Sequence, residues 1–498
     1  MPERGKGPPD KGQATDGAGQ MDRRGFLKVL GSGTAGAGVA HMIPGLAGTG
    51  AAALGSLFVA PRILGATDRG FLVESEAEYG GFLVEQLSGG EVPYRIDAEK
   101  LRAMPEKYTM FSRNVWDPVR QNRPELTESI SHINLVEGEG KVPNQTRLDY
   151  ALMAAAWRHA SMGGSTDYDW EGVSGQVRGA GLDRMGPWDP ADLDMSWEEA
   201  TLAVRHAALF YGASLAGVAE LNPLWLYPDH FAPSREDRER AIPVHYGGDR
   251  FEQAPDAWHI PGSMNRVIAL AFEEDYHGIS NSPGRLASAA VGNGYSRMAI
   301  TSSQLADFLR GLGYRAIPAG NGVGLSIPMA IDAGLGQLGR MGLLVTPKYG
   351  PRVRIAKVIT DMPLVPNPPI DFGVEEFCEA CLLCADDCPS ESITRGPKTL
   401  EGPSASNNPG ALKWYTGVDG CYDFNGFSCS NCKRICPFNK PNNSWLHRMI
   451  RGMIQARLVG ADKVLVQLDQ ASGYGTQVQD TEFWRMDGTK SITAREEM

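Results

Sequence analysis

Between Trp197 and Tyr211 (W-E-E-A-T-L-A-V-R-H-A-A-L-F-Y) apolar residues return every three or four positions behind two acids, which predicts an amphipathic helix. Arg147–Ala160 reads as another helix, and Leu215–Glu220 as a short strand. Arg266–Phe272 (R-V-I-A-L-A-F) is almost continuously apolar, the pattern of a buried strand. A helix over Ser296–Leu312 ends at Gly313, a strand follows over Tyr314–Pro318, then a helix over Ser326–Ala333 and a strand over Arg352–Ile359. This alternation predicts a layered α/β (α+β) core. The stretch 67–187 reads as irregular apart from its helix, and 222–262, rich in Pro, Asp, His and Trp, as an inserted loop region. Trp116, Trp157 and Trp170 are expected in the core.

The first 66 residues stand apart. Residues 1–20 lack apolar periodicity and predict disorder. Asp22-Arg23-Arg24-Gly25-Phe26-Leu27-Lys28 is a twin-arginine motif, and the uncharged run from Val29 to Pro61 follows it. That run is long enough to span a bilayer. It is dense in Gly, Ala, Ser and Thr, however, and reads as an export signal rather than an anchor. The whole chain carries a net charge of −11. Beyond residue 66 the balance is 41 Lys/Arg against 55 Asp/Glu, or −14, which disfavours nucleic acid as a partner.

All eight cysteines fall in two sets. The first is Cys378-x2-Cys381-x2-Cys384-x3-Cys388-Pro389, and the second is Cys421 followed by Cys429-x2-Cys432-x3-Cys436-Pro437. The first run has the bacterial ferredoxin spacing, in which the fourth cysteine ligates the neighbouring cluster. The expected wiring is Cys378, Cys381, Cys384 and Cys436 on one [4Fe–4S] cluster, and Cys388, Cys421, Cys429 and Cys432 on the other. Cys421 replaces the missing first member of the second run. A disulfide framework or paired zinc sites are the competing readings. A chain of 498 residues needs no disulfide staples, and zinc sites rarely repeat this spacing with trailing prolines. Fe–S clusters are assembled in the cytoplasm, so folded export by the twin-arginine route agrees with the leader.

Gly334-Leu335-Gly336-Gln337-Leu338-Gly339 matches G-x-G-x-x-G, but it follows a helix and leads toward a strand, the reverse of a dinucleotide site. Gly334 and Gly336 are expected either to let backbone approach a large flat group or to turn the chain.

The stretch from Tyr314 to Pro389, including I-D-A-G-L-G-Q-L-G-R-M-G-L-L-V-T-P-K-Y-G-P-R-V-R and F-C-E-A-C, resembles the corrinoid-dependent reductive dehalogenases, firmly from about Met264 to Trp445. The resemblance implies a nitroreductase-like corrinoid-binding core followed by a two-[4Fe–4S] ferredoxin-like module. It also implies reductive removal of halide from an organohalide by a Co(I) corrinoid fed by the clusters, as terminal reductase of organohalide respiration. The implied division is a leader (1–66), an N-terminal region (67–187), the core (188–372, with the insertion), the cluster module (373–443) and a C-terminal cap (444–498) with a helix over Trp445–Val459.

By resemblance, Tyr295 matches the proton donor, Asn321 a substrate-pocket residue, and Arg354 the basic residue beside the tyrosine, with Arg352 its rival. Gly320, Asn321, Gly334, Gly336 and Trp414 are candidate cofactor contacts. A guanidinium beside a phenol stabilises the phenolate left after proton donation. The chain lacks the D-x-H-x-x-G corrinoid motif, so a base-off corrinoid without a protein histidine on cobalt is expected. Implied partners are a small membrane anchor protein and a membrane electron donor, quinone-linked or a hydrogenase complex. The implied location is the outer, periplasmic face of the cytoplasmic membrane. An epoxyqueuosine reductase acting on tRNA, or an exported ferredoxin-type carrier, are the competing functions. The leader and the acidic charge count against the first, and the long core against the second.

Overall fold

The computed structural model describes residues 67–74, 79–80, 82–121, 147–160, 170, 195–425 and 429–439, with scattered positions between 466 and 484. The leader and the helix expected over Trp445–Val459 lie outside the described residues. All described residues belong to one unit, Arg62–Met498.

The core begins with helix α1 (Trp197–Phe210), closed at its start by a capping box in which Ser196 and Glu199 satisfy each other's backbone N–H groups. Strand β1 (Leu215–Glu220), strand β2 (Arg266–Glu273), helix α2 (Arg285–Gly311), strand β3 (Ala316–Ala319), helix α3 (Ser326–Asp332) and strand β4 (Val353–Thr360) follow in that order. The four strands form one sheet in the order β1-β2-β4-β3, every neighbour antiparallel.

The near-continuous hydrophobicity of β2 has a direct cause. Ile268, Leu270 and Phe272 pack with Val291, Met298 and Leu305 of α2, whereas Val267, Ala269 and Ala271 pack with Met329, Ala330 and Ile331 of α3. Side chains of opposite parity enter different cores, so neither face is polar.

Three expectations change. Helix α2 starts at Arg285, eleven residues before the expected Ser296, and carries Gly292 and Gly294 inside it. The 222–262 insertion is a second four-stranded sheet built from Asp229–Phe231, Ala241–Tyr246, Glu252–Gln253 and Trp258–Ile260. Its strands are two to six residues long and include Pro and His, so local propensity is silent although all the pairing partners lie within the insertion. The irregular region contributes a hairpin, Gly70–Glu74 with Leu83–Leu87, which pairs with Ile370–Asp371 just before the cysteines.

Trp170 is buried in the core as expected. Trp116 is partly buried, its indole N–H donating to the Lys107 carbonyl. Trp157 instead packs against Tyr295. No described helix is long and apolar enough to cross a membrane.

Candidate active site and cysteine centre

Tyr295 lies in the middle of α2, buried at 7% exposure, with its ring held on both faces. Trp157, just past the Arg147–Ala156 helix, stacks on it with centroids 5.3 Å apart, and the Arg354 guanidinium lies 4.7 Å from the ring centroid. The two helix glycines make this possible. A Cβ on Gly292 would lie 2.5 Å from the Trp157 ring, and one on Gly294 2.8 Å from the Arg354 chain. The phenol oxygen accepts from Asn321 Nδ2 at 3.2 Å and, more weakly, from Arg354 Nη1 at 3.4 Å. Both contacts donate to the oxygen, so Tyr295 retains its own O–H proton for a further acceptor.

Arg354 is on β4 and is fixed from behind. Its Nε donates to Glu274 Oε1 at 2.7 Å, and Glu274, fully buried, also pairs with Lys433. Burial opposes the charge on Glu274, but Lys433 and Arg354 together outweigh it and hold the carboxyl below the usual carboxylate range. Arg352 does a different job: it pairs with Glu273, donates to the Glu274 carbonyl at 2.9 Å and lies over the Tyr276 and Tyr349 rings. Asn321 sits on the loop after β3. Lys357, fully buried on β4, holds this loop by donating to the carbonyls of Gly320 and Gly324 at 2.8 and 2.7 Å and to Ser326 Oγ at 3.0 Å.

Tyr295, Asn321 and Arg354 face a mainly apolar cavity of about 540 Å³. Trp414, Thr416 and Val418 from the cysteine-bearing region also line it, as do Leu325 and Ile327. Trp414 packs between Arg340, 4.4 Å from its ring, and Lys398, at 5.2 Å. Arg340 in turn donates to the Cys378 carbonyl at 2.9 Å, so one buried arginine joins the cavity wall to the first cysteine loop. The buried Trp414 indole N–H has no partner among the described residues. Lys413, beside it, lies over Tyr415, and burial pulls its ammonium down to about 8. A larger recess of about 830 Å³ beside α1 is lined by Leu202, Phe210 and their neighbours and includes none of Tyr295, Asn321 or Arg354.

Of the expected cofactor contacts, Asn321 and Trp414 line the cavity. Gly320, Gly334 and Gly336 do not. A Cβ on Gly334 would meet the Pro368 carbonyl at 2.5 Å and one on Gly336 the Val345 carbonyl at 2.1 Å, so these glycines make room for the protein's own backbone. The G-x-G-x-x-G run does follow a helix, α3, and enters a strand, Gln337–Leu338.

The thiols lie near one another, with Cys432 a neighbour of Cys384 as well as of Cys421 and Cys388. Cys384 is pushed upward first by burial and then by Cys378, Cys436, Cys432 and Cys381. Burial raises Cys421 to about 11, with Cys429 and Cys388 adding to it, and raises Cys432 to about 12, with Cys421 and Cys388 as neighbours. Thiols so placed ionise together only against compensating positive charge. None is in a disulfide. Among the described residues no three His, Cys, Asp or Glu side chains converge as a single metal ion requires. A cubane holds each thiolate on a separate iron and imposes no such convergence. Cys421 lies on the helix Val418–Asn425, which Arg113 and Arg120 clamp through Asp419 and Asp423 on either side of the cysteine.

Sequence reasoning did not find Glu274, Lys433 or Lys357. The available signals were an acidic pair closing the apolar β2 and a lysine in the middle of the apolar β4.

No family model matches the chain. It is 39% identical over 320 residues to a tetrachloroethene reductive dehalogenase of Sulfurospirillum multivorans, an alignment covering 61% of this chain and 62% of that one. It is 34% identical over 401 residues to a tetrachloroethene reductive dehalogenase of Desulfitobacterium hafniense, covering 68% of this chain and 70% of that one. A solved reductive dehalogenase described as B12-dependent superposes with a TM-score of 0.56 at 17% identity, over 79% of this chain and 49% of that chain, a likeness of fold. The chain thus spans just under two thirds of the first relative and about half of the solved structure. With a third of its residues identical across 70% of the Desulfitobacterium protein, this chain belongs to the reductive dehalogenase family.

Proposed function

We propose that this chain is the catalytic subunit of an enzyme that removes halide from an organohalide by reduction. Two electrons and one proton enter, and a C–H bond and a halide ion leave. The observation that carries this reading is the orientation of hydrogen bonds at Tyr295. Asn321 and Arg354 both donate to the phenol oxygen, leaving the phenol's proton for the cavity.

A corrinoid suits the cavity's chemistry. Its walls are mainly apolar, the unpartnered Trp414 N–H offers a donor, and Lys413 offers a cation to a group rich in carbonyls and anionic oxygen, while Lys398 is paired with Glu375 and Glu379. When bound, the corrinoid supplies cobalt-centred reducing electrons at the carbon–halogen bond, and iron–sulfur clusters deliver them singly. The residues Cys378, Cys381, Cys384 and Cys436 would hold one [4Fe–4S] cluster, and Cys388, Cys421, Cys429 and Cys432 the other. The chain lacks the D-x-H-x-x-G motif, so no histidine of that motif would hold the corrinoid; Asn321, Trp414 and Lys413 in the cavity wall would hold it. The cavity's mainly apolar walls suit a small halogenated carbon compound beside Tyr295.

Tyr295 donates its proton to the carbon that loses halide, while Asn321 Nδ2–H and the Arg354 guanidinium stabilise the phenolate that remains. Export on the twin-arginine leader places the enzyme on the outer face of the cytoplasmic membrane. There it docks on a small membrane anchor protein and takes electrons from a membrane donor, as the terminal reductase of organohalide respiration.

The test is Tyr295→Phe. The variant should keep its iron and corrinoid and lose turnover by at least about 100-fold, the scale of a general acid. A near-normal rate removes Tyr295 from the donor role.

A further inference from the structure

Glu274 follows β2 directly, and its backbone N–H donates to the Arg352 carbonyl at 2.8 Å, which fixes the main chain at that point. Its side chain is fully buried. One carboxylate oxygen accepts from Arg354 Nε at 2.7 Å and the other pairs with Lys433. Lys433 lies on the helix Asn431–Ile435, immediately after Cys432, and is itself buried. A single carboxylate therefore stands between the guanidinium that faces Tyr295 and a lysine on the second cysteine run. It faces both cationic side chains, and Lys433 carries the trio to the residue after Cys432.

We propose that Glu274 is the positioning residue of the acid site, aiming Arg354 at the Tyr295 phenol and coupling that site electrostatically to the cluster held by Cys432. The assignment rests on the dehalogenase reading for its effect on turnover but not for its effect on the cluster. Arg354 needs such a restraint. Its Nη1 contact with the phenol is long, at 3.4 Å, and the strong, directional bond on this side chain is the one from Nε to Glu274. A neutral amide at this position keeps an acceptor oxygen for Arg354 Nε but turns its NH2 toward the Lys433 ammonium, so the charge-assisted bond that sets the guanidinium's angle is weakened, and an angle error of this kind costs about 100-fold in rate. The same change removes a negative charge from the group that reaches Cys432 through Lys433, which favours the added electron.

The experiment uses the anaerobically matured holoenzyme with Glu274→Gln. Turnover with an organohalide should fall about 100-fold while KM stays within about threefold, because Glu274 itself does not line the cavity and its apolar walls are unchanged. Iron content should equal the wild type. An EPR-monitored redox titration should move one cluster's midpoint to a more positive potential. Turnover within about threefold of wild type at full iron content overturns the assignment, and so does a loss confined to KM. If the glutamine variant fails to hold iron, Glu274→Asp carries the test. It keeps the charge but retracts it by one methylene, so the potential should be that of wild type while turnover still drops, and full turnover overturns the proposal. Should the wild type release no halide, the functional reading fails, whereas the potential shift in Glu274→Gln is measured without any substrate.

Discussion

Gly292 and Gly294 lie inside a buried helix, where glycine costs about 1 kcal/mol against alanine, and both sit where another side chain must pass. Gly292→Ala should therefore fail to gain the usual helix stabilisation. Its methyl would displace the Trp157 ring, so we expect a net loss of roughly 1–3 kcal/mol, read as a lower Tm, and weaker activity as the stacked face of Tyr295 opens. Lys413 predicts a pH effect. Its folded value, about 8, lies below the ordinary lysine value of 10.5, so the folded state binds fewer protons between these two pH values and stability rises with pH across that window. Replacing Lys413 by Met removes the penalty. The variant should be more stable at pH 7, by up to roughly 3 kcal/mol and less for the solvent that still reaches the ammonium. The advantage should shrink steadily above pH 8. Denaturation midpoints of the corrinoid-free protein at pH 7 and 9 measure this.

At the scale of elements, the helix Val418–Asn425 depends on residues nearly three hundred positions earlier. Arg120, buried, pairs with Asp419 and Asp423, and Arg113 joins it on Asp419. Breaking a buried charge pair costs about 3–5 kcal/mol. Arg120→Ala should release the Cys421 helix, and iron should fall from about eight toward four per chain. Retention of all the iron would show that the clamp does not position Cys421. None of this clamp was visible in the sequence, because Arg120 lies in a stretch with no periodicity. The cysteine sets were fully visible, because thiolate chemistry ties function to spacing. Strands β2 and β4 were visible for a related reason: a run buried on both faces has to be apolar. The start of α2 was hidden, since its Gly-Asn-Gly segment opposes helix formation and is held there by Trp157 and Arg354. The short strands of the insertion were hidden as well, because runs of two to six residues with Pro and His carry no period-2 pattern. Tyr295, Asn321 and Arg354 could be named through family resemblance. Which arginine faces the phenol, and what holds it there, needed the fold.

Across the whole molecule, the α/β core and the cysteine region share one cavity. The core contributes Tyr295, Asn321 and Arg354, and the cysteine region contributes Trp414, Thr416 and Val418. Two buried cations cross between these parts: Arg340 reaches from the core to the Cys378 carbonyl, and Lys433 reaches from the second cysteine run to Glu274. On the proposed reading, electrons entering at the thiols and a proton leaving Tyr295 would meet at this shared cavity. Halide release tests this most directly. Anaerobically matured wild-type protein, carrying cobalt and about eight iron atoms per chain, would be supplied with reduced viologen and a panel of small organohalides. The account predicts one halide ion released for every two electrons consumed on at least one member, and none above background from Tyr295→Phe. A fully loaded wild-type protein that releases no halide from any member, or a phenylalanine variant that matches it, would contradict the account.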